Sequence, residues 1–284
     1  MHEWPDHVVE LVRLALQEDI GSGDITTNAI HSGRERGTAR LVTRQDGVLA
    51  GLDLAEYVLH QVSSVVRFES ILSDGAPLVS GAEIARLEGP LAPILSTERT
   101  MLNFLQRMSG IATQTRSFVD VLEGTGTRIL DTRKTVPGHR YLDKMAVRLG
   151  GGTNHRMRLD DRFLIKENHI RVAGGIENAI SRCLDYRKMH KLDAALEIEV
   201  TSLEELDSVL DFGHVEYVML DNMSYEMMKS AVNRVAGACY TEASGNMTLE
   251  TLPDVSATGV DFISSGALTH SVRAMDISLL VDDR

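Results

Sequence analysis

Two short segments bring cationic side chains and glycines together near the middle of the chain. In the first, ILDTRKTVPGHR at 129–140, Arg133 and Lys134 come just after a short apolar run that predicts a buried strand. In the second, GGGTNHR, three glycines allow close backbone approach to a ligand and are followed at once by His155 and Arg156. A solvated loop and a flexible turn would account for either segment alone. Guanidinium groups bind carboxylates and phosphates through paired hydrogen bonds, so the two segments together indicate an anion site.

A third segment, the apolar run FLIK, ends in the cation Lys166. An ammonium in such a run is costly unless an anion pairs with it, which favours a functional role over packing. Residues 128–171 contain eleven basic and five acidic side chains, whereas the whole chain has a net charge of −12. The net negative charge of the protein does not attract nucleic acid, which is also negatively charged. We therefore expect a compact anionic metabolite as the ligand.

Two acidic residues, Glu199 and Asp221, lie at or near the ends of other predicted strands. Their carboxylate oxygens are of the kind that hold a hydrated Mg²⁺ or the hydroxyls of a sugar. Structural salt bridges with arginine or lysine are the alternative for both residues.

Serine-glycine pairs follow the last two predicted strands, Ser244-Gly245 after one and Ser265-Gly266 after the other. Such pairs are weak signals alone. Their position strengthens them, because α/β barrels commonly bind phosphate there through backbone N–H groups.

Strand–helix units are the predicted elements that position these side chains. Short apolar runs around Ile198, Met219, Tyr240 and Ile263 recur every 21 to 23 residues, the length of a compact βα unit. A polar residue marks almost every strand end. Because six strand ends contribute, the pattern favours an α/β barrel, with its active site at the carboxyl ends of the strands, over a doubly wound sheet.

The part of the chain before residue 111 has a different pattern. An apolar-periodic helix at 8–17 and an alternating segment at 38–43 are separated by turns rich in glycine and proline, which indicates an α+β domain. A long helical stretch from 97 to about 122 is predicted to join this domain to the barrel.

Composition excludes several other classes of protein. With 284 residues, of which 43% are hydrophobic, the chain is long and apolar enough for a packed core. The longest segment without a charged residue, 262–272, has eleven residues, short of the roughly 20 that span a bilayer. The N-terminus lacks the pattern of a signal peptide, and Cys183 and Cys239 lack metal or redox spacing, so we expect a reduced cytoplasmic protein without membrane contact.

Over nearly its whole length, the chain resembles the quinolinate phosphoribosyltransferase family. Seven collinear motifs carry the resemblance: EDIGSGDITT at 18–27, ERTMLNFLQRMSGIAT at 98–113, LDTRKT at 130–135, GGTNHR at 151–156, LIKENHI at 164–170, EASG at 242–245 and GALTHS at 266–271. The resemblance implies an N-terminal α/β sandwich, residues 1–110 completed by 272–284. It also implies an incomplete, open α/β barrel of the type II phosphoribosyltransferase kind, residues 111–271.

The family's reaction would be phosphoribosyl transfer from phosphoribosyl pyrophosphate to quinolinate with loss of CO₂, in the de novo biosynthesis of NAD. By resemblance, quinolinate would be bound by Arg133, His155 and Arg156, with Arg99 donated by a neighbouring subunit. The implied assembly is therefore a homodimer, and a hexamer stays open.

The remaining implied roles concern the phosphorylated substrate. Lys134 and Lys166 would bind phosphoribosyl pyrophosphate and neutralise its charge, and Glu199 and Asp221 would bind its ribose hydroxyls and Mg²⁺. Ser244, Gly245 and Gly266 would bind its 5′-phosphate, and Ser265 is a further expected substrate-binding residue. The implied catalytic residues are Lys134, Glu199 and Asp221.

Four residues depart from the usual family pattern: Asn246 where glycine is common, Ser265 where an apolar residue is common, Val136 where threonine is frequent, and Arg158 where a small residue is common. None of the four removes a predicted cation, carboxylate or glycine. Two alternatives stay open at this point, a paralogue associated with molybdenum transport and a non-catalytic binder of a phosphorylated metabolite.

Overall fold

A computed structural model of the chain describes residues 3–30 and 35–282. The chain divides into two compact units. The first comprises Met1–Arg116, Thr135–Gly151 and Ser271–Arg284, and the second comprises Ser117–Lys134 and Gly152–His270. Within the described ranges, no helix combines the length and the apolar character that crossing a bilayer would require.

An antiparallel sheet of four strands forms the centre of the first unit, in the order β12, β1, β5, β3. Its strands are β1 (Arg36–Thr43), β3 (Arg67–Ser70), β5 (Glu83–Pro90) and β12 (Ile277–Val281). A separate pair is formed by β2 (Gly47–Val48) and β4 (Pro77–Leu78). The helices that begin in this unit are α1 (Asp6–Ile20), α2 (Ile25–Ile30), α3 (Leu52–Val62), α4 (Leu91–Val121) and α5 (Arg140–Leu149).

Hydrophobic periodicity explains these elements. The apolar residues Val8, Val12 and Leu16 recur every four residues and form the buried face of α1. On β1 the buried residues alternate, with Ala39 and Leu41 fully covered, as expected for a strand with one face on the core. The last strand, β12, pairs with β1, so the C-terminal segment completes the first sheet.

Six parallel strands form the second unit, in the order β6, β11, β10, β9, β8, β7. Their bounds are β6 (Arg128–Leu130), β7 (Phe163–Ile165), β8 (Leu196–Val200), β9 (Tyr217–Asp221), β10 (Tyr240–Ser244) and β11 (Phe262–Ser264). The helices are α6 (Glu167–Ala173), α7 (Ile176–His190), α8 (Leu203–Phe212), α9 (Tyr225–Val235), α10 (Leu252–Ser256) and α11 (Ala267–His270).

This parallel sheet curves into an incomplete barrel. β6 and β7 are its two edge strands, yet Thr132 after β6 and Lys166 after β7 line the same cavity. A flat sheet would hold these two residues far apart. The predicted fold class, an α/β protein with an incomplete barrel, is confirmed.

The unit boundaries differ from the predicted ones at α5. The predicted barrel, 111–271, includes this helix, whereas in the structure α5 belongs to the first unit. Its buried Asp143 accepts two hydrogen bonds from Arg107 of α4, at 3.0 and 2.8 Å. Directly after α5, a Cβ on Gly150 would lie 2.4 Å from the carbonyl oxygen of Ala112, so glycine is needed where the two segments meet.

Candidate active site

Two adjoining cavities open at the carboxyl ends of the barrel strands. The larger has a volume of about 610 Å³ and the smaller about 350 Å³. They share a boundary formed by Thr132, Lys134, Lys166, Ser244 and Ser264. A ligand could therefore occupy both cavities, with one part in each.

Strand periodicity determines which side chains reach the cavities. Successive residues of a strand point to opposite faces, so every second residue points to the barrel interior. On β9 these residues are Met219 and Asp221, and on β10 they are Glu242 and Ser244, all four of which line a cavity. The polar residues at alternate positions of these buried strands are therefore the ones that point into the cavities.

The smaller cavity combines guanidinium groups with apolar walls. Arg133 and Arg156 line it together with Leu164 and Met219. The Nε atom of Arg133 is buried and has no hydrogen-bond partner among the residues described. Burial, followed by the nearby charge of Arg133, lowers the pKa of Arg156. Two crowded cations and an unsatisfied donor beside apolar side chains suit a small ring that carries carboxylates.

Hydrogen bonds from its backbone and from its imidazole ring both fix the position of His155. Its backbone N–H donates to buried Asp131 at 2.8 Å, and the side-chain amide of Asn154 donates to the other oxygen of the same carboxylate. On the ring, Nε2–H donates to Glu197 at 2.8 Å. Arg162 donates to that same Glu197 oxygen at 3.2 Å. The imidazole orientation is therefore fixed before any ligand binds.

Glu197 and Glu242 are not among the predicted site residues, although Glu242 is one of the polar residues near strand ends that favoured the barrel. Both are fully buried on inward positions of their strands. Ligand atoms of His155, Glu197 and Glu242 lie within 4.8 Å of one another, a spacing that a metal ion could use, but Arg162 already supplies a cation to Glu197. The available signal was the period-two pattern Glu197-Ile-Glu199, which places two carboxylates on one face of a buried strand.

The larger cavity contains the predicted carboxylates. Lys166 donates a hydrogen bond to Glu199, so the anionic partner expected for Lys166 is present. Asp221 accepts from Ser244 at 3.0 Å and from Asn222 at 2.9 Å. The salt bridge that was the alternative for Glu199 is therefore present, and a metal ion there would share Glu199 with Lys166. Asp221 has neutral partners in these contacts, and its half-buried carboxylate is the donor type that Mg²⁺ prefers, so this part of the site fits that ion.

Glycine is required at two positions of the larger cavity. Gly245 has φ +109°, and a Cβ there would lie 2.2 Å from Oδ1 of Asn222. A Cβ on Gly266 would lie 2.8 Å from Cδ of Lys134. The neighbouring Asn246 has φ +42°, a left-handed conformation that asparagine tolerates better than most residues, which explains how it replaces the usual glycine.

Ser265 lines the larger cavity, but its side chain is buried and engaged within the loop. Its hydroxyl donates to the carbonyl of Met247 at 3.3 Å and accepts from the N–H of Ala267 at 3.3 Å. These contacts shape the backbone around Gly266. Of the other departures from the family pattern, Val136 is exposed, and Arg158 is exposed and donates to Asp160 at 3.1 Å.

The structure brings together the predicted site residues except Arg99. Lining one or both cavities are Arg133, Lys134, His155, Arg156, Lys166, Glu199, Asp221, Ser244, Gly245, Ser265 and Gly266. Arg99 is an exposed residue of α4 in the first unit. Its contribution from a neighbouring subunit stays a prediction.

Comparison with known protein families covers both units. The model for the quinolinate phosphoribosyl transferase N-terminal domain matches residues 24–109, and the model for the C-terminal domain matches residues 111–280.

Similar proteins occur in plants and bacteria. Quinolinate phosphoribosyltransferase [decarboxylating] 2b, mitochondrial, from Nicotiana tabacum is 42% identical over 96% of this chain and 82% of its own. Nicotinate-nucleotide pyrophosphorylase [carboxylating] from Mycobacterium leprae is 41% identical over 96% of this chain and 97% of its own. Among solved structures, nicotinate-nucleotide pyrophosphorylase from Francisella tularensis has a TM-score of 0.93 and 42% identity, covering 99% of this chain and 98% of its own.

Proposed function

The chain belongs to the quinolinate phosphoribosyltransferase family, and we propose that it transfers the phosphoribosyl group of phosphoribosyl pyrophosphate to the ring nitrogen of quinolinate. Pyrophosphate and CO₂ leave, and nicotinate mononucleotide is formed in de novo NAD biosynthesis. The relatives described above carry the names of this enzyme, and no observation favours a molybdenum-transport paralogue or a non-catalytic binder.

The observation that supports the proposal most strongly is that the two adjoining cavities are lined by different charged groups. Guanidinium groups line the smaller cavity, whereas Glu199 and Asp221 line the larger one. The first environment suits a pyridine dicarboxylate, and the second suits ribose hydroxyls and a metal-bound pyrophosphate. The shared boundary is where the two substrates would meet.

In the smaller cavity, quinolinate would be oriented by Arg133, His155 and Arg156. The buried, unsatisfied Nε of Arg133 has a donor ready for a carboxylate oxygen. The apolar side chains of Leu164 and Met219 would contact the flat ring. Such fixed orientation accelerates a reaction between two bound substrates, because the reacting atoms meet without further loss of freedom.

In the larger cavity, phosphoribosyl pyrophosphate would lie among polar groups. Ser244, Gly245 and Gly266 would surround the 5′-phosphate, while Lys134 and Lys166 provide positive charge. Glu199 and Asp221 would hold the ribose hydroxyls and Mg²⁺, which when bound supplies positive charge to the leaving pyrophosphate.

In the transfer step, charged side chains would stabilise the charges that develop on the two parts of phosphoribosyl pyrophosphate. As pyrophosphate leaves, positive charge develops on the sugar and negative charge on the leaving group. Carboxylates of Glu199 and Asp221 stabilise the first, and Lys134 stabilises the second. Once the pyridine nitrogen carries the ribose, the positive ring accepts the electron pair that remains when the adjacent carboxylate departs as CO₂.

A direct assay tests this proposal. Purified protein given quinolinate, phosphoribosyl pyrophosphate and Mg²⁺ is expected to form nicotinate mononucleotide, with pyrophosphate and CO₂ in equal amounts. Product formation would be followed by liquid chromatography and mass spectrometry, with nicotinate in place of quinolinate as the control for substrate class. No product above the enzyme-free rate would refute the assignment.

The proposed active form is a homodimer in which Arg99 reaches the partner's site, and a hexamer would be a further assembly of such dimers. Exposure of Arg99 on α4 is consistent with this role. We also propose a cytoplasmic location, supported by two free cysteines, Cys183 and Cys239. The relative from tobacco is named as mitochondrial, so the compartment differs within the family.

Gly266→Ala is expected to raise the KM for phosphoribosyl pyrophosphate about tenfold, with a smaller effect on the KM for quinolinate. The new methyl group would lie 2.8 Å from Cδ of Lys134 and would displace that side chain. Steady-state kinetics in each substrate measure the effect. Gly37→Ala is the matched control, since its methyl group would first meet a flexible Leu91 side chain at 3.2 Å in the first unit. An unchanged KM for phosphoribosyl pyrophosphate would contradict the prediction.

A further inference from the structure

Glu242 is a buried carboxyl group on the wall of the smaller cavity with no assigned role. It is the third residue of β10, and its side chain has no exposed surface. Neither carboxyl oxygen has a hydrogen bond of normal geometry to a residue that the structure describes, although Ser264 and Glu197 are close enough to affect its pKa. His155 Nε2 lies 3.5 Å from one of these oxygens. A group so placed must be explained, because burying a polar side chain without partners is costly.

The charges around Glu242 determine which carboxyl holds a proton. Glu197 lies within 4.8 Å of it and receives hydrogen bonds from His155 and Arg162. These two hydrogen-bond donors, one of them a guanidinium, stabilise a negative charge on Glu197. Burial and the negative charge of Glu197 raise the pKa of Glu242 well above its usual range, and Arg162 opposes this only partly. Glu197 is therefore the anion of the pair, and Glu242 is the neutral acid.

The substrate favours the same assignment. Quinolinate brings two negative charges into the smaller cavity, where Glu242 shares the walls with the cations Arg133, Lys134, Arg156 and Lys166. An ionised Glu242 would repel the substrate and cancel part of the cationic field. A neutral carboxyl avoids this repulsion and keeps an acidic proton inside the cavity.

The reaction requires one proton at this place. After CO₂ leaves, the ring carbon next to nitrogen retains the electron pair of the broken bond, and product forms only when that carbon gains a proton. Arg133 and Arg156 do not give up protons at ordinary pH. The Nε2 proton of His155 is held by Glu197, and Lys166 is paired with Glu199. Lys134 lies on the boundary with the larger cavity, where its charge is assigned to the leaving pyrophosphate.

We propose that Glu242 is a catalytic acid, which rests on the function proposed above. Its O–H bond breaks as the proton passes to the ring carbon that lost CO₂, and the electron pair left by CO₂ forms the new C–H bond. Glu242 becomes a carboxylate and regains its proton from water when the product leaves. Over one cycle, quinolinate exchanges a carboxylate for a solvent-derived proton, so atoms and charges balance.

Glu242→Gln tests the proposal, because it keeps the size of the side chain and removes the acidic proton. In rapid-quench single turnovers, pyrophosphate is expected to appear at the wild-type rate. Formation of nicotinate mononucleotide is expected to slow about 10²- to 10⁴-fold, the usual worth of a general acid. A carbanion that is not protonated recombines with CO₂, so the nucleotide that still carries both carboxylates should then accumulate and be detected by mass spectrometry. Glu226→Gln, the same change on the exposed start of α9, is the control and should leave both rates unchanged.

The comparison of two products separates a chemical role from a structural one. If Glu242→Gln lowers pyrophosphate release and nicotinate mononucleotide formation by the same factor, Glu242 supports the fold and the proposal is wrong. If the variant does not fold, Glu242→Asp provides the test, since its shorter acid should slow only the second product, and equal slowing of both again refutes the proposal. A wild-type enzyme that releases neither product would instead refute the proposed function.

Discussion

Mixing two inactive variants, Arg99→Ala and Lys134→Ala, is expected to restore about one quarter of wild-type activity. Each variant alone should lose about 10³-fold or more, because each removes a cation that faces substrate or leaving-group charge. In a dimer whose sites combine Lys134 of one subunit with the partner subunit's Arg99, half of a random mixture is mixed dimer. One of the two sites in each mixed dimer then has both cations, which gives about one quarter of the sites intact.

The measurement is nicotinate mononucleotide formation after the variants are incubated together, with subunit exchange verified by mass spectrometry of differently tagged chains. Mixing Lys134→Ala with Arg133→Ala is the informative control. Both of these residues line the site of a single chain. A site assembled around one chain's loop cannot combine them, so this mixture should gain no activity beyond that of the two variants measured alone. Persistent inactivity of the Arg99 and Lys134 mixture after full exchange would show that Arg99 does not act across an interface.

Arg133→Ala is expected to lower kcat/KM for quinolinate about 30- to 700-fold, which corresponds to about 2–4 kcal/mol for a charge-assisted pair of hydrogen bonds to a carboxylate. The buried Nε of Arg133 is unsatisfied among the described residues, so we expect the substrate to provide its acceptor. Arg133→Lys should recover only part of this loss, because lysine keeps the charge but lacks the planar fork of donors.

Steady-state kinetics with each substrate varied in turn would measure this effect. The KM for phosphoribosyl pyrophosphate should change little in both variants, since Arg133 lines only the smaller cavity. Circular dichroism and thermal melting would establish that each variant folds. Full recovery by lysine would mean that Arg133 acts as a simple charge and does not bind a carboxylate through paired hydrogen bonds.

Residues at strand ends made much of the site predictable. Polar side chains in buried parallel strands need a reason, and the convergence of strand ends in a barrel provides one. Lys166 in an apolar run predicted an anionic partner, which the structure identifies as Glu199. The motifs that resemble a family then assigned substrates to these positions, which residue types alone could not do.

What could not be predicted depends on contacts between distant segments. The sequence marks Glu242 as a polar strand residue, but its pairing with Glu197 and His155 exists only once three strands and a loop curve around one interior. Likewise, α5 has its own amphipathic pattern, and nothing local indicates that Arg107 of α4 will bind its Asp143. A side chain on Gly245 is excluded by Asn222, which is 23 positions earlier in the chain.

The pairing of β12 with β1 has a consequence for protein synthesis. β1 begins at Arg36, but its partner on one side, Ile277–Val281, is made only after every strand of the barrel. Until those residues leave the ribosome, one edge of β1 has no strand beside it, whereas every strand of the barrel has already been translated. The barrel strands can therefore begin to fold before the sheet of the first unit has its last strand. A nascent chain stalled before residue 277 would expose a sheet edge, the kind of surface on which molecular chaperones act.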